Sequence, residues 1–297
     1  MADRKPVFEE FASATINLYL KVGGPRADGM HPLESLAVFA DIGDRIWISP
    51  GAGVSLAISG PYARGLDSEP DNIVLRAARL LAEAFGVPAD HGAAIVLEKN
   101  LPVASGIGGG SADAAAALRA LARLWNIPKN SDLTAIARTL GSDVPACLAG
   151  RPVLMRGAGE IIAPALAPRL GVLLANDGEP VSTPAVYRRF DALSLGADFA
   201  EAPPPGGKDA ANFIAGLRAL PNDLEAAAFD LSPGVSKLKR KVAALPGCAL
   251  ARMSGSGGTV FGLFETFAAA AAARILLARE NPALWVAAGS TQSAAQT

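Results

Sequence analysis

The sequence predicts an α+β protein of two domains, and three observations carry that reading. Strand-like and helix-like stretches follow one another without strict βαβ alternation, which favours α+β packing over a doubly wound sheet. At 297 residues the chain is long enough for two modest cores. Hydrophobic residues make up 51% and charged ones 19%, the balance of a globular protein rather than a disordered one.

The same composition excludes several function classes. A formal net charge of −1 gives no electrostatic ground for binding nucleic acid or an anionic membrane surface. Cys147 and Cys248 are far apart and lack metal-ligand spacing, so buried free thiols are expected and no zinc site is indicated. The charged segment Met1–Glu10 lacks the apolar core of a secretion signal, and no apolar stretch is long enough to span a bilayer. A reducing, cytoplasmic home is the expectation, and the sequence leaves the oligomeric state open.

Taken in order, Phe8 to Val22 predicts a strand, with Phe11, Ile16, Leu18, Leu20 and Val22 largely keeping period two. A turn-rich loop follows to Pro32. Leu36–Phe39 and Arg45–Ser49 predict two strands separated by a turn at Asp41–Asp44, and Val54–Ile58 predicts another. Asn72 is placed to cap a helix reaching Phe85, which Gly86 and Pro88 stop. Ala93–Glu98 predicts a strand and Ala114–Trp125, rich in Ala, Leu and Arg, a helix. Ser131 is expected to cap a helix ending at Leu140, before a sharp turn at Gly141–Pro145.

Pro152–Arg156 and Glu160–Ile162 resume strand character, and the domain junction is expected between them, giving domains 1–157 and 158–297. Further on, Leu170–Asn176 predicts a strand and Thr183-Pro184 a helix start. The proline-rich run Gly196–Gly207 predicts a loop. Asn222–Glu225 and Ser232-Pro233 each open a helix. Ala249–Arg252 and Thr259–Phe264 flank a second Ser/Gly cluster, and a helix over Thr266–Arg279 and a strand at Leu284–Ala288 complete the chain.

Between the strand at 93–98 and the helix at 114–125 lies Pro102-Val103-Ala104-Ser105-Gly106-Ile107-Gly108-Gly109-Gly110-Ser111-Ala112. Gly106, Gly108, Gly109 and Gly110 allow left-handed backbone and leave no Cβ in the way of a ligand. Successive N–H groups in such a turn form an anion-holding nest, and a helix start adds free N–H groups and the positive end of its dipole. Ser105 and Ser111 supply hydroxyls for phosphate oxygens or magnesium. The stretch reads as a polyphosphate cradle, with a plain flexible turn as the bland alternative. Met253–Gly258 reads as a second phosphate contact or a simple hairpin.

Asp143 has two readings: an N-cap ahead of Pro145, or a carboxylate positioned to accept a substrate hydroxyl proton. His31 reads as a surface residue or a ligand contact, and His91 as structural. Thr15 and Asn17 share one face of the first strand, as a site wall or as the solvent side.

The loop pattern Pro102-x-x-x-Gly106-Ile107-Gly108-x-x-Ser111-Ala112 resembles the phosphate loop of the GHMP kinase superfamily. So do Ala14-Thr-Ile-Asn-Leu18, Gly141-Ser-Asp-Val-Pro145, Asn222-Asp-Leu-Glu225 and Met253-Ser-Gly-Ser-Gly-Gly258, in the family's order and over nearly the whole chain. Arg26-Ala-Asp-Gly-Met-His31 is similar to the element of the family's non-mevalonate isoprenoid branch, and separates it from mevalonate, homoserine and galactose kinases.

The resemblance implies a two-domain GHMP kinase fold with the active site in the inter-domain cleft. It implies ATP and Mg²⁺, and a small-molecule substrate carrying a cytidine diphosphate moiety, whose methylerythritol 2-hydroxyl takes the γ-phosphoryl group. Residues 102–112 would hold ATP and Asp143 would be the base. Asn17, Met30, His31, Thr183, Tyr187 and Gly255 would bind substrate, with His31 on the cytosine and Tyr187 stacked on it. Thr15 stands where the family usually has a lysine paired with the catalytic aspartate, and Met30 where it usually has an aromatic. Two alternatives follow: a nucleotide-binding relative with weak catalysis, or a kinase of another small alcohol.

Overall fold

A computed structural model describes residues 8–66, 71–196, 201, 205 and 209–293. The chain forms two compact units, and neither is a continuous half. The first comprises Met1–Ala14, Gly43–Val103 and Gly108–Ala149; the second comprises Thr15–Ile42, Ala104–Ile107 and Gly150–Thr297. The expected junction at 157/158 instead falls inside the second unit. It lies in the turn of a hairpin whose strands pair with Met155 opposite Ile162. Gly157 and Gly159, both at positive φ, make a tight turn that composition alone does not distinguish from a linker.

Strand β1 (Phe8–Val22) has the expected bounds, and β2 (Leu33–Gly51) is one strand rather than two. The expected turn at Asp41–Asp44 is extended backbone. Gly43 serves close strand approach, because a Cβ there would collide with the carbonyl oxygen of Ala12. Within the first unit, β2 pairs antiparallel with β4 (Gly92–Glu98), and β3 (Val54–Ser59) runs parallel to β4.

Among the described residues, this unit holds the helices α1 (Ile73–Ala84), α2 (Gly109–Leu124), α3 (Thr134–Leu140) and α4 (Val144–Ala149). Asn72 caps α1 as its sequence position predicts, its Oδ1 accepting from the Val74 N–H at 2.9 Å. Helix α2 buries Ala112, Ala114–Ala117 and Ala120, whose small side chains allow α1 and α4 to pack closely. It begins at Gly109, five residues before its expected start, so Gly109 and Gly110 are helical. Helix α3 begins at Thr134 rather than after Ser131, because the Asp132 carboxylate takes the Thr134 N–H at 2.8 Å.

In the second unit β2 pairs with β5 (Val153–Arg156), which pairs with β6 (Ile161–Pro164). A separate antiparallel sheet runs in the order β10 (Trp285–Ser290), β7 (Gly171–Asn176), β9 (Thr259–Phe264), β8 (Leu250–Met253). Its helices are α5 (Thr183–Ala192), α6 (Ala210–Leu217), α7 (Glu225–Leu231), α8 (Pro233–Ala243) and α9 (Phe267–Glu280). The core gathers Leu173, Val186, Phe190, Leu238, Val260 and Phe264. Asp41 accepts the Ser290 N–H at 2.6 Å, tying β10 to β2.

Helix α6 is absent from the sequence reading. Its Asp209 cap, which takes the Asn212 N–H at 2.9 Å, follows the proline-rich run and opens only eight residues. The expected loop at 196–207 lies almost wholly outside the described residues. Among the described residues, no helix is long and apolar enough to cross a membrane. Cys147 and Cys248 are free thiols, as expected, the first buried and the second only partly so.

Candidate active site

Residues 102–112 are divided between the two units. Pro102 and Leu101 are buried and Val103 is exposed. Ala104 takes φ +51°, a left-handed value unusual for a residue with a side chain. Gly106 and Gly108 are left-handed at +74° and +65°, whereas Gly109 and Gly110 are not. Gly108 is the N-cap of α2, and Ser111 stands in its first turn, partly exposed. The free N–H groups of that turn and the helix dipole form an anion-holding end.

Within the second unit, residues 104–107 are stitched to the second glycine cluster and to β1. The Thr259 N–H donates to the Ser105 carbonyl and the Thr15 N–H to the Ile107 carbonyl, each at 2.9 Å. A Cβ on Gly106 would meet the Ser254 carbonyl at 2.7 Å and also the Gly257 carbonyl. A Cβ on Gly255, at φ +54°, would lie 3.0 Å from the Gly106 carbonyl and 3.4 Å from Asn17 Oδ1. The second cluster is therefore the turn of the β8–β9 hairpin, as its plainer reading expects, packed against residues 104–107. Thr183 joins it, with Oγ1 2.6 Å from Ser256 Oγ.

Asn17 is half-buried beside this cluster. Its N–H donates to Ser254 Oγ at 3.3 Å and its amide to Ser35 Oγ at 2.9 Å, and Ser35 donates in turn to the Tyr19 carbonyl at 2.7 Å. Thr15 is 4% exposed, so the solvent-face reading of this pair fails. Asn222 is a positioning residue that sequence reasoning quoted without a role. Its amide donates to the carbonyls of Met253 at 2.9 Å and Gly255 at 2.8 Å, bracketing the cluster.

His31 is buried, against the surface reading. Its Nε2 lies 2.8 Å from Asp191 Oδ1, and its ring centroid is 4.9 Å from Tyr187 and 6.1 Å, edge-on, from Phe190. Tyr187 and Asp191 are one helical turn apart on α5 and so share a face. That i,i+4 spacing is the signal by which Asp191, missed by sequence reasoning, was findable. Met30 is exposed, its N–H held by Asp28 at 3.0 Å. His91 is exposed beside Asp90, in keeping with a structural role.

In the first unit, Asp143 ends the turn after Gly141, and its carbonyl accepts the Cys147 N–H at 3.1 Å. Its backbone is thus an N-cap, but its carboxylate is accompanied by the Ser142 hydroxyl at 3.5 Å rather than by a helix N–H. The side chain is open to solvent yet crowded by protein. That desolvation pushes its carboxyl above the ordinary range, against the lowering effect of Ser142. A raised carboxyl suits a group that must take a proton.

Two family profiles match the chain: "GHMP kinases N terminal domain" over residues 72–151 and "GHMP kinases C terminal" over residues 206–282. The chain belongs to the GHMP kinase family. A GHMP kinase uses ATP as its phosphate donor. Among its relatives, the 4-diphosphocytidyl-2-C-methyl-D-erythritol kinase of Cereibacter sphaeroides (strain ATCC 17029 / ATH 2.4.9) is 50% identical, covering 94% of this chain and 97% of its own length. The enzyme of the same name from Paracoccus denitrificans is 51% identical, covering 94% and 95%.

A crystal structure of 4-(cytidine 5'-diphospho)-2C-methyl-D-erythritol kinase superposes with a TM-score of 0.76 at 36% identity, covering 97% of this chain and 100% of that one. L. major mevalonate kinase, at 16% identity and a TM-score of 0.68 over 98% and 99% of the two chains, shares the GHMP kinase fold.

Proposed function

We infer that this GHMP kinase transfers the γ-phosphoryl group of ATP to the 2-hydroxyl of 4-diphosphocytidyl-2-C-methyl-D-erythritol, a step of non-mevalonate isoprenoid precursor biosynthesis. The observation that carries it is the half-identity to enzymes of that name over 94% of the chain, with the element Arg26-Ala-Asp-Gly-x-His31 present. Residues 102–112 cradle the phosphates of ATP with backbone N–H groups and the N-terminus of α2. His31, oriented by Asp191 and flanked by Tyr187, reads the cytosine, and Met30 covers it. Asn17, Thr183 and Gly255 hold the remainder of the substrate.

Asp143 accepts the proton of the 2-hydroxyl as its oxygen attacks the γ-phosphorus and the bond to the bridging oxygen of ADP breaks. Thr15, in the place of a lysine, supplies a hydroxyl near the transferring group. Among the described residues no group of three or more His, Cys, Asp or Glu is placed to cage a metal. Ser111 and Ser105 would offer hydroxyl oxygens to Mg²⁺ carried on the ATP phosphates, and magnesium bound there would neutralise charge on the phosphates. A cytoplasmic setting belongs to the same proposal, in keeping with two cysteines that are far apart in the chain.

Thr15 favours one second reading, a nucleotide-binding relative of weak catalysis. A coupled ADP-release assay with 4-diphosphocytidyl-2-C-methyl-D-erythritol, beside mevalonate and homoserine, decides. Turnover of the first alone is expected. ATP binding without ADP release from any of them favours the second reading.

A further inference from the structure

Three charged side chains lie buried in the first unit outside every group used above. Asp44, Lys99 and Asp113 are 0%, 3% and 3% exposed. Lys99 Nζ donates to Asp44 Oδ2 at 2.5 Å and to Asp113 Oδ2 at 2.7 Å. Asp44 Oδ1 accepts the N–H groups of Asn100 at 2.5 Å and Leu101 at 2.9 Å. Asp113 Oδ1 is buried with no hydrogen-bond partner among the described residues.

The positions of these contacts matter more than their number. Asn100 and Leu101 lead into the phosphate loop, and Asp113 follows it on α2. Gly109, the first residue of α2, passes over the ammonium: a Cβ there would lie 3.5 Å from Lys99 Nζ. A buried ion cluster is a poor source of stability, since desolvating its charges offsets their attraction. What it supplies is a fixed geometry, because each partner left alone would be a buried unpaired charge.

We propose that Asp44, Lys99 and Asp113 form a clasp of positioning residues that ties the two limbs of the phosphate loop together and so sets its grip on ATP. The proposal rests on the reading of residues 102–112 as the ATP cradle. Asp44 is the anchor on β2, Lys99 the bridge, and Asp113 the hook on α2. Desolvation works against the ammonium, but Asp113 and Asp44 outweigh it and hold Lys99 above its ordinary value. Burial holds the Asp113 carboxyl above its ordinary value against the pull of Lys99. Asp44 alone already balances the charge of Lys99, so the cluster tolerates a neutral hook, provided that the hook still accepts from Lys99.

That requirement gives the test. Asp113→Ala removes the hook and leaves a balanced Asp44–Lys99 pair, with a better helix former in α2. Asp113→Asn removes the charge and keeps an acceptor for Lys99. Direct ATP titration, KM for ATP, KM for the alcohol substrate and thermal unfolding are measured on the full chain.

The alanine variant is expected to fold and to weaken ATP binding and raise KM for ATP about tenfold or more, with KM for the alcohol unchanged. The asparagine variant is expected to stay within about threefold of the parent on every count. The proposal is overturned if the alanine variant binds ATP as the parent does, if both substrates weaken together, or if asparagine fails like alanine. An alanine variant that does not fold also overturns it, since the cluster is then a general core element. Because ATP titration needs no turnover, failure of the clasp is distinguishable from failure of the kinase reading, which the parent's ADP release tests.

Discussion

Replacing Gly106 with alanine tests the meeting of the two glycine clusters most directly. Gly106 sits at φ +74°, where a side chain costs about 1–2 kcal/mol. The new Cβ would meet the carbonyl oxygens of Ser254, at 2.7 Å, and of Gly257. Both obstacles are backbone, so the second cluster must move, at an overpacking cost of about 1–3 kcal/mol. The total is roughly 2–5 kcal/mol, a large share of the 5–15 kcal/mol typical of a folded domain.

At about 2 °C per kcal/mol, the thermal midpoint should fall by about 4 °C or more. KM for ATP should rise with it, because Ser105 and Gly258 are displaced together. Gly110→Ala is the control. The nearest atom to its Cβ is Ile73 Cγ2 at 4.0 Å, and alanine is the better helix former by about 0.8–1 kcal/mol, so stability should hold or rise. If Gly106→Ala is as stable as Gly110→Ala, the approach of the clusters is not what this glycine serves, and the reasoning is refuted.

Four further outcomes are expected. Asp143→Asn should keep the fold and ATP affinity and lower kcat by about 10²–10⁴. In the parent, a base must be ionised, so activity falls as pH falls. Desolvation of Asp143 puts that acid limb above the pH of an ordinary carboxylate, and a limb at the ordinary carboxylate value would count against Asp143. Thr15→Lys should raise kcat about tenfold with little change in ATP affinity, as for a donor acting on the transition state; an unchanged kcat means that another cation fills the role. Trp125 Nε1 is buried without a hydrogen-bond partner among the described residues, so Trp125→Phe should cost less than about 1 kcal/mol in urea unfolding; a larger loss means that the indole has a partner, such as a bound water.

What was legible in the sequence is what local chemistry dictates. The Asn72 cap, the proline openings of α5 and α8, and the glycine loop before α2 follow from residue types and short spacings. Asp143 could be read as a cap or as a base, and the structure uses its backbone for the first while leaving its carboxylate outside the helix. What was not legible depends on partners distant in the chain. Nothing beside Lys99 in the chain points to Asp44, its partner from 55 positions earlier. His31 and Asp191 are 160 positions apart. Gly43 looked like a turn because only the neighbouring β1 reveals that its missing Cβ makes room for Ala12.

The bond from Ser290 to Asp41 spans 249 positions. On a ribosome adding about 5–20 residues per second, β2 therefore waits roughly 12–50 s for the strand that completes its surroundings. In the later part of that interval β7 has been made but has no β10 beside it, and its unpaired edge is free to recruit another chain. The nascent protein is at its most aggregation-prone just before residues 285–290 emerge. Chains stopped short of Trp285 should therefore call on chaperones far more than the finished enzyme does, although every residue of the candidate site has already been made.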